Sequence, residues 1–287
     1  MKRNSIMRLL IAITVLGLAL QGAACNEHGS KAADDGKEAR SEKDDLPERE
    51  ETRQSYKLAA GASVKVSGIN GPIDVETADI DTAEVHIVRS ARSRENLDYR
   101  KIIIDHTPDS LVVRGEDKNS EGGLLSWFRP SVTVRHRVTL KLPRRVDLTA
   151  SGANGPVTIG EIDGQVRVSG VNGPVTLAQA ESSAEISGVN GPVNATIVRI
   201  ADKGMRVSGI NGPVELRFNE SLNADIQVKG LNGGFHPEVP DFVMEEKSPH
   251  SYRARIGEGG TPITISGING SVRLSAASAK GQSSAAQ

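Results

Sequence analysis

The sequence is poor in cysteine, in aromatic residues and in net charge. Cys25 is the only cysteine, which excludes an intramolecular disulfide, and its place beside an apolar N-terminal segment excludes a nucleophilic thiol in a folded core. Aromatic residues make up 3% of the 287 residues, which indicates thin layers of small side chains. The formal net charge of −1 does not suggest a nucleic-acid partner. We therefore expect neither a disulfide-rich scaffold nor a nucleic-acid partner.

The motifs of common enzyme classes are also missing. The sequence has no phosphate-binding loop, no nucleophile elbow and no glycine-aspartate repeat for calcium. His136 shares one strand face with apolar residues, and no second histidine or carboxylate lies at metal-ligand spacing. That pattern is typical of a histidine packed in a core. We predict no catalytic residue, no cofactor and no metal.

What the sequence has in abundance is the pattern Ser-Gly-x-Asn-Gly-Pro, in which x is apolar. It occurs at residues 67–72, 151–156, 169–174, 187–192 and 208–213, with looser copies at 229–234 and 266–271. The motif asparagines are Asn70, Asn154, Asn172, Asn190, Asn211, Asn232 and Asn269. From the second onwards they recur at intervals of 18, 18, 21, 21 and 37 residues, the last interval being read as two periods with one degenerate copy. Such recurrence predicts a repeated structural unit.

Apolar and polar residues alternate on both sides of each motif copy. Val166 and Val168 flank a polar residue before one copy, and Val175 and Leu177 do so after it. A period of two predicts half-buried strands. Asn-Gly supplies a tight turn, and the proline that follows suits the first position of a strand. Each repeat is therefore predicted to be a strand, a fixed corner, a second strand and a corner of variable length.

Two all-β architectures fit this pattern. In a β-solenoid, two-strand units stack about 4.8 Å apart and the motif asparagines form a hydrogen-bonded ladder. In an antiparallel meander, each Asn-Gly is a hairpin turn and the motif copies do not touch. We favour the solenoid, because identical corner residues are needed only if the copies touch. Its open strand edges would have to be covered, so we expect a cap at both ends.

The N-terminus predicts export and a lipid anchor. Residues 1–24 have a basic start and an apolar stretch of signal-peptide length. Small residues precede Cys25, as at the acylation site of bacterial lipoproteins, although Gly22 stands where leucine is usual. We expect Cys25 to be lipidated, which would attach the protein to a membrane. An ordinary secretory signal with an incidental cysteine is the alternative.

The rest of the chain divides into three parts. Residues 26–54 carry many charges of both signs and few large apolar side chains, which predicts a disordered tether. Residues 55–274 are expected to form a single domain. Residues 275–287 are mostly small and predict a disordered tail.

Two segments interrupt the repeat inside the expected domain. Residues 116–130 form a loop with the apolar residues Leu124, Leu125, Trp127 and Phe128. We interpret this loop as a cap over one end of the stack, and a contact surface for a partner is the alternative. Residues 235–260 are expected to cover the other end.

The lipoprotein-like start, the strand Val-Thr-Leu-Lys-Leu-Pro at 138–143 and the series of Ser-Gly-x-Asn-Gly strands resemble the bacterial putative-adhesin family, a domain of unknown function. The resemblance covers residues 56–274. It implies a β-solenoid-like domain of the bacterial cell envelope and carries over no functional residues. We expect an exported, lipid-anchored, non-enzymatic protein, facing the periplasm or the exterior, with an envelope glycan or protein as partner.

The alternative function is a carbohydrate-active β-helix enzyme with its site in the non-repetitive loops. Such an enzyme needs a pair of carboxylates on one exposed face. The outward residues Arg167, Glu185 and Arg206 occupy equivalent positions in successive repeats, which predicts charge pairing across strands instead.

Overall fold

The structure is a computed structural model that describes residues 46–117, 133–201, 203–218 and 222–277. This part of the chain is all-β apart from the short helix α1 (Arg94–Tyr99), which begins after its N-cap Ser93. In chain order the strands are β1 (Glu48–Lys57), β2 (Ser63–Ser67), β3 (Ile73–Ala78), β4 (Thr82–Ala91), β5 (Arg100–Thr107), β6 (Ser110–Asp117), β7 (Val134–Pro143), β8 (Asp147–Ala153), β9 (Val157–Ile162), β10 (Val166–Val171), β11 (Val175–Ala180), β12 (Ala184–Asn190), β13 (Val193–Ile197), β14 (Met205–Asn211), β15 (Val214–Phe218), β16 (Ala224–Asn232), β17 (Phe235–Glu238), β18 (Phe242–Ser248), β19 (Ser251–Ile256), β20 (Thr261–Asn269) and β21 (Val272–Ala276).

These strands form two large mixed sheets. The ten-stranded sheet has the order β1-β4-β7-β3-β9-β11-β13-β15-β21-β17. The eleven-stranded sheet has the order β18-β19-β16-β20-β14-β12-β10-β8-β2-β6-β5. The prediction of an all-β fold is confirmed.

Burial follows the alternation of the sequence. In β10, Val166 and Val168 are buried and Arg167 is exposed, as period-two strands require. Most inward side chains of the two sheets form one continuous core. Ala91, Val134 and Leu97 of α1 form a small second cluster. Phe218 is the one fully buried aromatic residue of the described chain, so the core is built almost entirely from aliphatic side chains.

Two strands joined by one motif copy make a motif unit, and they lie in different sheets. For example, β10 belongs to the eleven-stranded sheet and β11 to the ten-stranded sheet. Neighbouring units pair in parallel in both sheets, with Ser169 opposite Ser187 and Val175 opposite Val193. A hairpin turn joins antiparallel neighbours within one sheet, so these corners are not the hairpin tips of a meander.

The corner that joins one motif unit to the next is here called the variable corner. Its length differs between units, and this difference accounts for the change in repeat length. Three residues separate β11 from β12, whereas seven separate β13 from β14. The motif corner, here called the fixed corner, keeps its sequence length in all units.

The N-terminal end of the two sheets contains mostly antiparallel pairs. β1 pairs with β4, β4 with β7, and β5 with β6. Because β1 begins at Glu48, the prediction of a disordered tether up to residue 54 is wrong for residues 48–54. The charged composition of residues 48–54 does not indicate a strand, because the partners of these charges lie on the neighbouring strand β4. Glu50 lies 2.6 Å from Arg89, and Glu51 lies 2.9 Å from His86.

The C-terminal end departs from chain order. Unit β20–β21 lies between units β14–β15 and β16–β17, and hairpin β18–β19 pairs antiparallel with the outer edge of β16. The 37-residue interval therefore holds this hairpin, and the prediction of a degenerate motif copy there is wrong. The ring of Phe235 lies 6.1 Å from that of Phe242 and 4.8 Å from that of Tyr252, and all three pack against the core. β21 extends to Ala276, two residues into the expected tail.

Candidate functional site

The fixed corner is held by direct contact between backbones. The apolar residue x is at most 2% exposed in every copy: Ile69, Ala153, Val171, Val189, Ile210, Leu231 and Ile268. Gly170, which precedes it, has a φ of 61°, a conformation that side chains disfavour. At Gly173, a Cβ atom would lie 2.6 Å from the carbonyl oxygen of Gly155 in the neighbouring unit β8–β9. These contacts explain why the motif hardly varies within the chain.

The motif asparagines form a ladder of side-chain hydrogen bonds along the fixed corners. Each Nδ2 donates to the Oδ1 of its neighbour: Asn154 to Asn70 (2.9 Å), Asn172 to Asn154 (2.9 Å), Asn190 to Asn172 (3.0 Å), Asn211 to Asn190 (2.9 Å), Asn269 to Asn211 (2.9 Å) and Asn232 to Asn269 (3.1 Å). The order is spatial rather than sequential, because Asn269 lies between Asn211 and Asn232. An amide inside the ladder uses one N–H and one lone pair, so a second N–H and a second lone pair remain.

At Asn70 the ladder meets the N-terminal strands. Asn70 Nδ2 donates to the carbonyl oxygen of Val134 at 2.7 Å, and its backbone N–H donates to His136 Nδ1 at 3.3 Å. His136 is 2% exposed, and the prediction that it packs in the core is confirmed. Burial, followed by the charges of Arg100 and Arg89, lowers the pKa of His136 to about 4. A neutral imidazole therefore stands beside this end of the ladder.

Three exposed columns run along the fixed corners, and we call them the corner strip. They consist of the motif glycines that precede x, the motif asparagines and the residues at the proline position. Gly170, Asn172 and Pro174 form one row. Every row except the one at residues 68–72 is exposed, and none carries a charge. The strip therefore exposes amide donors, amide acceptors and proline rings, and no formal charge.

The variable corners are linked by ion pairs instead. Arg144 lies 2.7 Å from Glu161, 3.3 Å from Asp163 and 3.9 Å from Glu181. Arg199 donates to Glu181 at 2.8 Å. Burial acts to lower the pKa of Arg144, but the carboxylates of Asp163 and Glu161 outweigh it, so the pKa is raised.

Sequence reasoning missed this cluster of charges. One signal was present, because Glu181 and Arg199 are 18 residues apart, the same interval as the repeat. The position of Arg144 before the first variable corner of the series gave no comparable signal.

The carboxylates around Arg144 do not have the environment of a hydrolase pair. A hydrolase pair must face the substrate, whereas Glu161, Asp163 and Glu181 face the guanidinium of Arg144. A polar depression of about 360 Å³ also lies at the variable corners, lined by Asp147, Gly164, Gln165, Ser182, Ser183, Ala201 and Lys203.

The described residues contain neither a metal-binding cluster nor a helix that could span a membrane. Among them, no three His, Cys, Asp or Glu side chains are grouped so that they could hold a metal ion. No helix in residues 46–117, 133–201, 203–218 and 222–277 has the length and hydropathy to cross a membrane.

Several predicted residues lie outside the described part of the chain. These are the lipidation site Cys25 and the loop residues Leu124, Leu125, Trp127 and Phe128. The loop residues fall between β6 and β7, which pair in parallel with β2 and β3. In sequence, the loop therefore takes the place that a fixed corner takes in the motif units.

No family model and no curated protein matches the chain. Among solved structures, the chain is similar to a putative cell adhesion protein from Clostridium sporogenes, with 13% identity, a TM-score of 0.44, and coverage of 80% of this chain and 100% of that one. A putative adhesin from Bacteroides fragilis has 10% identity, a TM-score of 0.32 and coverage of 80% and 99%. A putative lipid binding protein from Parabacteroides distasonis has 14% identity, a TM-score of 0.27 and coverage of 78% and 96%. The similarity to putative adhesins that the sequence predicts is thus confirmed.

Proposed function

We propose that the protein is a non-enzymatic lipoprotein of the bacterial cell envelope, whose β-solenoid serves as a structural or adhesive module. The observation that supports this function is the corner strip. It is an exposed, uncharged surface that repeats one arrangement of hydrogen-bonding groups from row to row.

The strip suits an extended envelope polymer, either a glycan or a protein segment. Rows on paired strands lie about 4.8 Å apart, so a partner that follows the strip meets equivalent amides at short, regular intervals. Each contact is weak because it replaces a contact with water. Many such contacts on one partner add up through effective concentration.

Lipidation of Cys25 would hold this surface at a membrane. Residues 26–47, which precede β1, would then act as the spacer. We expect the full chain to fractionate with membranes and a Cys25→Ser variant to appear in the soluble exported fraction. Mass spectrometry of a mature protein with an unmodified Cys25 would contradict the anchor, without bearing on the corner strip.

The strip is tested by retention of envelope material on the immobilised protein. Pro174→Glu places a charge on the strip, and Thr176→Glu places the same charge two residues away on the exposed face of β11. We expect Pro174→Glu to lose the retained glycan or protein and Thr176→Glu to keep it, with both variants folded by circular dichroism. Equal retention by the two variants would exclude the strip as the contact surface.

The alternative of a carbohydrate-active enzyme makes a different prediction. Incubation with envelope polysaccharides would then release shorter oligosaccharides. The pairing of Glu161, Asp163 and Glu181 with Arg144 does not favour it.

A further inference from the structure

The unit β20–β21 fills a gap that the preceding chain leaves open. β15 ends at Phe218, but the next unit, β16–β17, does not pair with β14–β15. Strand β20 lies between β14 and β16, and β21 lies between β15 and β17, parallel to both neighbours in each sheet. Units β14–β15 and β16–β17 are therefore joined in both sheets only through residues 261–276.

The gap is complementary to a strand, corner and strand of this sequence type. Ile263, Ile265, Ile268, Val272 and Leu274 are all at most 1% exposed in it. The fixed corner is engaged on both sides, because Asn269 donates to Asn211 at 2.9 Å and accepts from Asn232 at 3.1 Å. A segment without the motif asparagine would lose the ladder hydrogen bond on each side.

The connection into the gap is short and rich in glycine. Residues 257–260 (Gly-Glu-Gly-Gly) lead from β19, on the outer edge of β16, to β20 on its inner edge, and so they pass the start of β16. The N–H of Glu258 donates to Asn223 Oδ1 at 3.0 Å, just before β16. Gly257, Gly259 and Gly260 have φ values of 56°, 77° and 126°. Glycine reaches these and other backbone conformations at little cost, so the connection can act as a hinge.

We infer that residues 261–276 are an exchangeable unit, and that the gap also accepts the same residues of a second copy of this chain. Two copies then form a closed dimer in which each β20–β21 fills the gap of the other. The partner is specified by chemistry, because the occupant needs the inward aliphatic residues and the corner asparagine at the spacing of this segment.

Exchange keeps the contacts of the closed chain and changes only the connection at residues 257–260. Swapping identical elements is therefore a low-cost route to a dimer. A short connection favours exchange more than a long one, because a short connection is more easily strained when both its ends belong to one copy.

The test uses two full-length chains with one new cysteine each, both carrying Cys25→Ser. One has Arg206→Cys in β14 and the other has Thr264→Cys in β20, two positions that lie opposite each other in the parallel pair. Neighbouring parallel strands place such residues about 4.8 Å apart, within the span of a disulfide. Inside one unexchanged chain neither cysteine has a partner. When the two chains are refolded together in a glutathione buffer, a disulfide-linked heterodimer is expected, detected by size tags on a non-reducing gel.

The matched control uses Glu185→Cys in place of Thr264→Cys. Glu185 lies in β12, which pairs with the other edge of β14, and it is opposite Arg206 there. That strand does not belong to the exchangeable unit, so its heterodimer reports random contact between chains. We expect about tenfold more heterodimer from the Arg206 and Thr264 pair than from the control pair. Equal yields from the two pairs would overturn the exchange.

Hinge length supplies a second measurement. Deletion of Gly259 and Gly260 should raise the dimer fraction measured by size-exclusion chromatography with light scattering, and insertion of Gly-Ser-Gly-Ser after Gly260 should lower it. A deletion variant that folds as a monomer with unchanged stability would contradict the proposal. If the deletion prevents folding, the proposal is tested by the heterodimer yields of the Arg206 and Thr264 pair and of the control pair, both measured with the natural hinge.

Discussion

The fixed corners and the variable corners both connect strands of the two sheets, yet they hold neighbouring units together by different chemistry. At the fixed corners, glycine backbones touch and neutral asparagine amides bond to each other, as at Gly173 and Asn172. At the variable corners, long charged side chains such as Arg144 and Arg199 reach carboxylates of neighbouring units.

The difference explains where this chain varies and where it does not. A contact between two backbones leaves no space for an added atom, so glycine is required at the same position in each copy. A contact through a flexible charged side chain tolerates changes of length and position, and it stabilises the fold less. The variable corners therefore accept the longer repeats.

The largest effect is expected from a methyl group at the tight position of the fixed corner. Gly173→Ala would place Cβ 2.6 Å from a backbone oxygen, which the sheet cannot relieve, and should lower the free energy of unfolding by about 3 kcal/mol or more. Gly170→Ala is the control, because its Cβ would meet nothing closer than 3.6 Å and only the left-handed φ opposes it, at about 1 kcal/mol. Urea denaturation of both variants measures the difference. Equal losses would show that backbone contact does not set the fixed corner.

A smaller effect is expected from a charge in the ladder. Asn190→Asp removes the donor that lies 3.0 Å from Asn172 Oδ1 and faces that oxygen with a carboxylate, so we expect a loss of about 1–2 kcal/mol at pH 7. Below the ordinary aspartate pKa of about 3.9, the protonated carboxyl can donate again, and the difference from the wild-type protein should shrink. Thr176→Asp, on an exposed strand face, should cost about 0.5 kcal/mol or less at both pH values. If the effect of Asn190→Asp does not depend on pH, the amide donor is not what stabilises this corner.

The smallest effect is expected at the variable corner. Arg144→Gln removes partly exposed ion pairs and should lower the free energy of unfolding by about 0.5 kcal/mol in dilute buffer. In about 1 M NaCl the difference should disappear, because salt screens these charges. The Gly173→Ala difference should persist in the same salt, which makes that variant the control. A loss for Arg144→Gln as large as that for Gly173→Ala would remove the distinction between the two corners.

The sequence predicts those parts of the fold that depend on local pattern. Alternation around Val166 and Val168 predicts strands and the inward face, and the repeated Asn-Gly predicts the fixed corner. It does not predict that Asn269 lies between Asn211 and Asn232, because every unit has the same corner and any two could be neighbours. That order depends on the pairing of β19 with β16, which sequence spacing does not specify. In the same way, β1 looks like a charged linker until its partners on β4 are known.

The amide ladder also has a direction. All six bonds point the same way, with each N–H towards Asn70 and each oxygen towards Asn232. A side-chain amide has a dipole like that of a peptide unit, about 3.5 D, and aligned dipoles add along their axis as they do in a helix. The Asn232 end is therefore partially negative and the Asn70 end partially positive, where the carbonyl of Val134 accepts a hydrogen bond. A strip without a formal charge thus has an electrostatic polarity, and a polymer lying along it would have one favoured orientation of its own dipoles.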